Sequence, residues 1–151
     1  MLKYFAIFVF VQAVLAQTPV KSCGKGKPVP SAVYFGGKDH LCTKAPCILK
    51  RGKTAVSEIE FVSPINSRTI TPKAETKVFG LKIDLDLGVR AASACSLLQH
   101  GCPVVRSNRE TFKLVKPVEK NARVGTADVE YSLIGDDNQI IFCYKLKTSV
   151  V

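Results

Sequence analysis

The sequence predicts an all-β sandwich, on three observations. Apolar and polar residues alternate with a period of two in several short runs, which puts apolar side chains on one face of a strand. Proline and glycine fall mainly between those runs, at Pro28, Pro30, Pro46, Pro64, Pro72, Pro103 and Pro117. No window sustains an amphipathic helix, and strands without intervening helices indicate a sandwich rather than an α/β fold.

In chain order, the first segment is set apart. "MLKYFAIFVFVQAVLA" has one early lysine, an apolar run, and small residues at Val14 and Ala16. These are the parts of a secretory signal peptide over residues 1–16, and the run is too short for a membrane span. Residues 17–151 then form one domain, without repeat, linker or low-complexity tract. In "VSEIEFV", Ile59 and Phe61 alternate with Glu58 and Glu60. The clearest alternation is "KVFGLKIDLDLGVR", residues 77–90, read as one strand. Phe79, Leu81, Ile83, Leu85, Leu87 and Val89 hold its odd positions, and that face should be dry, with Phe79 and Val89 as plain core. "AASACSLLQHG" supports at most a helical turn. "ETFKLVKPV" offers Phe112 and Leu114 and stops at Pro117. "ADVEYSLIG" presents Val129, Tyr131 and Leu133; "GDD" then supplies a turn before "NQIIFCYKLKTSV", so the last two runs read as a β-hairpin.

All six cysteines lie after the leader, and an even count in a secreted chain argues for disulfides rather than a metal site. Six cysteines allow 15 pairings. The spacing favours Cys42 with Cys47 and Cys95 with Cys102, each closing a short loop, which would leave Cys23 and Cys143 to join the ends of the domain. The formal net charge is +10, falling to +9 when the leader removes Lys3. The basic residues are dispersed and no nucleic-acid motif accompanies them, so they read as a solvated basic surface with weak attraction to anionic membranes.

The sequence carries no sign of catalysis. No nucleophile motif of the GxSxG kind occurs, and "CGKGK" lacks the strand and helix that a phosphate-binding loop needs. Asp84 and Asp86 lie two apart, as paired acid–base carboxylates can, but alternating charges are also what a half-exposed strand requires. His40 and His100 read as ordinary surface residues beside the cysteine loops.

Taken together, "SCG" near the mature N-terminus, "CTKAPCILKRGK", "ACSLLQHGCPVV" and "FCYKL" resemble the MD-2-related lipid-recognition (ML) domain. Within it the pattern is similar to the Niemann-Pick type C-2 branch, arthropod type, which includes the group-2 mite allergens. The resemblance covers the whole mature chain. It implies an immunoglobulin-like β-sandwich of two antiparallel sheets with an apolar lipid-binding cavity between them. It also implies disulfides Cys23–Cys143, Cys42–Cys47 and Cys95–Cys102.

A non-enzymatic carrier of a sterol, fatty acid or similar lipid is what the resemblance implies, with no cofactor or metal. Its implied partners are the lipid, anionic membranes or a membrane lipid-transfer receptor, and no nucleic acid. The protein would be a monomer, secreted or held in the endosomal or lysosomal lumen. An innate-immune or chemosensory recognition role is the alternative. The family's tunnel mouth falls at Leu87, Val118 and Ala122, and its interior at Leu81, Ile83, Leu85, Tyr131 and Tyr144. Ile59, Phe61, Phe112 and Val129 complete the expected lipid-binding set. Where sterol-binding vertebrate members carry aromatics, this chain has Leu87, Ala122 and Ala55, and where they carry Trp it has Tyr131 and Tyr144. Those departures argue against strict cholesterol specificity and are compatible with a straighter or more adaptable ligand such as a fatty acid.

Overall fold

A computed structural model describes residues 16–151, so the leader expected over residues 1–16 lies outside the described residues apart from Ala16. The strands are β1 (Lys21–Ser22), β2 (Ala32–Phe35), β3 (Cys47–Leu49), β4 (Thr54–Val62), β5 (Thr71–Val78), β6 (Leu81–Leu85), β7 (Arg109–Pro117), β8 (Gly125–Ile134) and β9 (Ile140–Val150). A 3-10 helix over Ala91–Leu97 connects β6 to β7. "AASACSLLQHG" therefore forms a seven-residue 3-10 helix of about two turns, where its serines and cysteine suggested at most one.

Two sheets face each other, as the alternation predicted. The larger has six strands, running β1-β9-β8-β5-β6, with β3 joined to β9; the smaller runs β2-β4-β7. Pairing is antiparallel except for β3, which runs parallel to β9 with Cys47 opposite Thr148. The expected final hairpin is present, with Tyr131 opposite Tyr144 and a shift in register at Leu133–Ile134.

Inward side chains follow the period of two. Phe142, Tyr144 and Leu146 of β9 and Leu133 of β8 meet Ile59, Phe61, Phe112 and Leu114 of the smaller sheet, and all are buried, as is Val129 of β8. The Phe142 ring anchors the middle, 5.2 Å from Phe61 and 6.4 Å from Phe112 between centroids, within the range for favourable aromatic pairs. The three disulfides are Cys23–Cys143, Cys42–Cys47 and Cys95–Cys102. The first ties the N-terminal segment to β9, where the Cys143 amide also donates to Pro28 O at 2.8 Å.

The stretch from 77 to 90 is not one strand. It is the end of β5, a two-residue turn at Phe79 and Gly80, and β6, with Val78 opposite Leu81. Both turn residues have positive φ, 51° and 78°, as a type I′ hairpin turn requires. Glycine takes that conformation without steric cost, and Phe79 takes it at the hairpin tip. Phe79 is consequently not core: its side chain is 101% exposed. Nor is the odd face dry. Leu81, Ile83 and Leu85 are 71%, 44% and 39% exposed. They lie on the inner face, opposite Val78, Thr76 and Ala74, but β6 is the edge of the larger sheet and no described segment covers them.

Candidate functional site

The inner face of the larger sheet changes character along its length. Cross-strand rows can be read from the register: Tyr144–Tyr131–Ala74–Leu85, then Leu146–Val129–Thr76–Ile83, and beyond them Thr148, Ala127, Val78 and Leu81. At the end with the 3-10 helix, bulky groups fill the space. Tyr131 and Tyr144 stack at 5.2 Å with their planes 20° apart, and Tyr144 in turn lies 6.1 Å from Phe142. Burial pushes the Tyr131 phenol up to about 12 and holds Tyr144 well above 10, with Tyr131 beside it adding to the effect. Both rings are neutral apolar walls at any physiological pH.

Toward the hairpin end the inward residues shrink and gain hydroxyls. Ser57, Thr76 and Thr148 are buried there, with Ala55 half-buried and Ala127 exposed. The Thr76 hydroxyl donates to Asp128 O at 2.9 Å. Small residues across facing positions leave room between two sheets that large ones would close. The sequence reading missed this end, because Ala, Ser and Thr give no apolar periodicity. The only available signal was pairing register, which a lone sequence does not print.

The expected lipid-binding residues therefore separate into groups. Ile59, Phe61, Phe112, Val129 and Tyr144 are fully packed, Tyr131 is partly buried against them, and Leu81, Ile83 and Leu85 form an open apolar row at the sheet margin. Leu87 lies on the connection from β6 to the 3-10 helix, half-buried against the core. Val118 and Ala122 are half-buried in the connection from β7 to β8. That connection is pinned to residues 50–53, since Gly52 N donates to Val118 O at 2.7 Å and Val118 N to Lys53 O at 2.8 Å.

On the outer face of the same sheet lies an open concavity of about 1070 Å³, lined among others by Lys21, Glu75, Lys82, Glu130, Lys145 and Lys147. Its charges largely answer one another: Lys82 Nζ is 3.6 Å from the Glu75 carboxylate and Lys27 Nζ 3.8 Å from that of Glu130. Hydrogen bonding from Lys73 holds the Glu75 carboxyl below its usual range. Its lining is mixed: Val78 and Phe79 and the buried Thr76, Val129 and Leu146 border it as well as the charged groups. Asp84 and Asp86 do not act together. Asp84 lies 4.0 Å from Lys73 Nζ, while Asp86 accepts the Gly88 amide at 2.7 Å beyond the strand. Among the described residues, Cys23, Glu130 and Cys143 have metal-ligand spacing, but those two sulfurs are bonded to each other.

The ML domain model matches residues 17–150. No curated protein sequence matches the chain. Among solved structures, a Niemann-Pick type C2 protein from the Japanese carpenter ant superposes with a TM-score of 0.73 at 14% identity, covering 88% of this chain and 99% of that one. At that identity the likeness speaks for the fold, and it agrees with the sandwich. Two facing sheets, three disulfides in the expected pairing and a family model spanning the whole domain carry the same conclusion: the chain belongs to the ML family of lipid-recognition domains.

Proposed function

We propose that the protein is a secreted lipid carrier that takes an acyl chain or sterol between its sheets, entering along β6. The observation that carries this reading is the row Leu81, Ile83 and Leu85: inward-facing by register, apolar, and uncovered by any described segment. A lipid laid against that row and into the small-residue end would remove apolar surface from water at roughly 25 cal/mol per Å², so no charged anchor is needed. The buried hydroxyls of Ser57 and Thr148 suit the polar end of a lipid. The small side chains Ala55 and Ala122 are compatible with a fatty acid as well as with a ring system.

Membership of the ML family, a lipid-binding rather than an enzymatic one, supports the reading. Three disulfides suit an oxidising compartment, outside the cell or in the lysosomal lumen. Delivery to membranes or to a membrane receptor would follow from the same open margin. Native mass spectrometry of the purified protein, with displacement of a fluorescent fatty acid and of a fluorescent sterol, tests the proposal. Bound acyl lipid and displacement in the low micromolar range are expected. Absence of binding in both assays overturns it. Salt separates this from recognition through the basic surface: slot binding survives 1 M salt, whereas surface charge pairing is screened away.

A further inference from the structure

β6 is an edge strand whose protections are its shortness and the charges of Lys82 and Asp84. It has no proline and no bulge, its burial is low at every position, and no described segment pairs with its outer side. Natural sheets blunt such edges because the free N–H and C=O groups template pairing with another chain. The phase of the ladder shows which groups are free. A two-residue turn is closed by a pair that exchanges both hydrogen bonds, here Val78 and Leu81, and alternation then makes Thr76–Ile83 and Ala74–Leu85 bonded pairs. The same alternation carried across β8 and β9 turns the Cys143 amide away from β8, and it does donate away from β8, to Pro28. Lys82 and Asp84 therefore aim their backbone N–H and C=O groups outward, at the unpartnered edge.

The segment "LKIDL" is also self-complementary when antiparallel to itself. With Ile83 opposite Ile83 of a second copy, Lys82 falls opposite Asp84 of that copy, Asp84 opposite its Lys82, and Leu81 opposite its Leu85. The two-fold axis then passes through a non-bonded pair, flanked on each side by a Lys–Asp pair that exchanges both backbone bonds. That is the phase the free groups require. Apolar residues meet on the inner face and opposite charges on the outer face, with no like charges directly opposed across the new contact.

We propose that the β6 edge is a homodimer interface, two copies pairing edge to edge about Ile83 into one continuous sheet. This departs from the monomer expected from the sequence. It stands on strand phase and charge pattern and does not rest on the lipid reading. Each copy then continues the other's row of Leu81, Ile83 and Leu85, so the open margins of both inner faces adjoin. The interface is an isologous one, closed by its own symmetry. Its small size implies weak association, with a dissociation constant of roughly 10–100 µM.

Sedimentation velocity on the mature protein from about 1 to 500 µM tests it. The wild type should pass from monomer to dimer across that range. Lys82→Asp alone and Asp84→Lys alone each place like charges opposite one another twice per dimer, and each should weaken association about tenfold. The double variant carrying both substitutions restores opposite charges in the same register, and should return to within about threefold of wild type. Asp84→Pro removes an outward amide that no intrachain bond uses, and should abolish the dimer while thermal melting stays cooperative. A wild type that remains monomeric throughout overturns the proposal. So does a double variant as weak as either single one, or a dimer that survives Asp84→Pro.

Discussion

Leu81→Ser separates a ligand-facing residue from a core residue by magnitude. Fully burying a leucine side chain is worth about 2 kcal/mol. Leu81 is 71% exposed, so the fold already draws about 0.6 kcal/mol from it, and a lipid that seals the margin gains the remaining 1.4 or so. The serine variant should then bind a fluorescent fatty acid about tenfold more weakly, while its stability in urea falls by less than about 1 kcal/mol. Phe112→Ala is the converse case. Phe112 is buried against Phe142, and truncating a buried phenylalanine costs about 3–5 kcal/mol of stability. Binding is measured below about 1 µM protein, where association through β6 is negligible. Affinity of the Leu81→Ser variant within twofold of wild type would refute the placement of the ligand along β6. A stability loss above about 2 kcal/mol would show instead that Leu81 is covered by the protein itself.

Replacing Cys23 and Cys143 together by serine opens a loop spanning 120 residues, and chain entropy puts the loss at about 5 kcal/mol, against about 2 kcal/mol for Cys42 with Cys47, five apart. Urea midpoints of the two double variants give the order, and an equal or inverted ranking would contradict it. Alkaline titration tests the tyrosine stack. The fold holds the Tyr131 phenol near 12 against 10 in the unfolded chain, so stability is intact below pH 10 and declines as pH rises from 10 through 12. Phenolate absorbance should show Tyr131 and Tyr144 ionising only with or after unfolding, and a native step for either near pH 10 would show that the stack is open to water.

The sequence made the strong strands plain and hid the weak ones, for a physical reason. β4, β7 and β8 alternate large apolar groups with polar ones, β9 is an apolar run that passes into alternation at Lys145 and Lys147, and each was legible. β5 was not: its inward residues are Ala74, Thr76 and Val78 beneath Pro72, and nothing in "TPKAETKV" advertises a buried face. Its absence from the reading is also why residues 77–90 looked like one strand. Odd apolar positions run straight through Phe79, and only Gly80 hints that the chain reverses there. The short strands β1, β2 and β3 escaped because pairing to β9 and β4 defines them, with too few residues to show a period. The cysteine pairing was favoured by spacing and fixed by the family pattern. Of the candidate site, the packed aromatics were visible and the hydroxyl-bearing end was not, since small polar side chains become pocket walls only when register sets them opposite one another.

β9 is bordered by β8 on one side and by β1 and β3 on the other, and it follows all of them in the chain. While synthesis has reached only residue 135, the strands that flank it carry open edges and Cys23 has no partner sulfur. The larger sheet is therefore continuous only once its last strand is in place, and its longest covalent tie needs that same strand. Until that strand is made, the apolar faces it covers stay open to water, the state in which a chain of this kind is prone to aggregate.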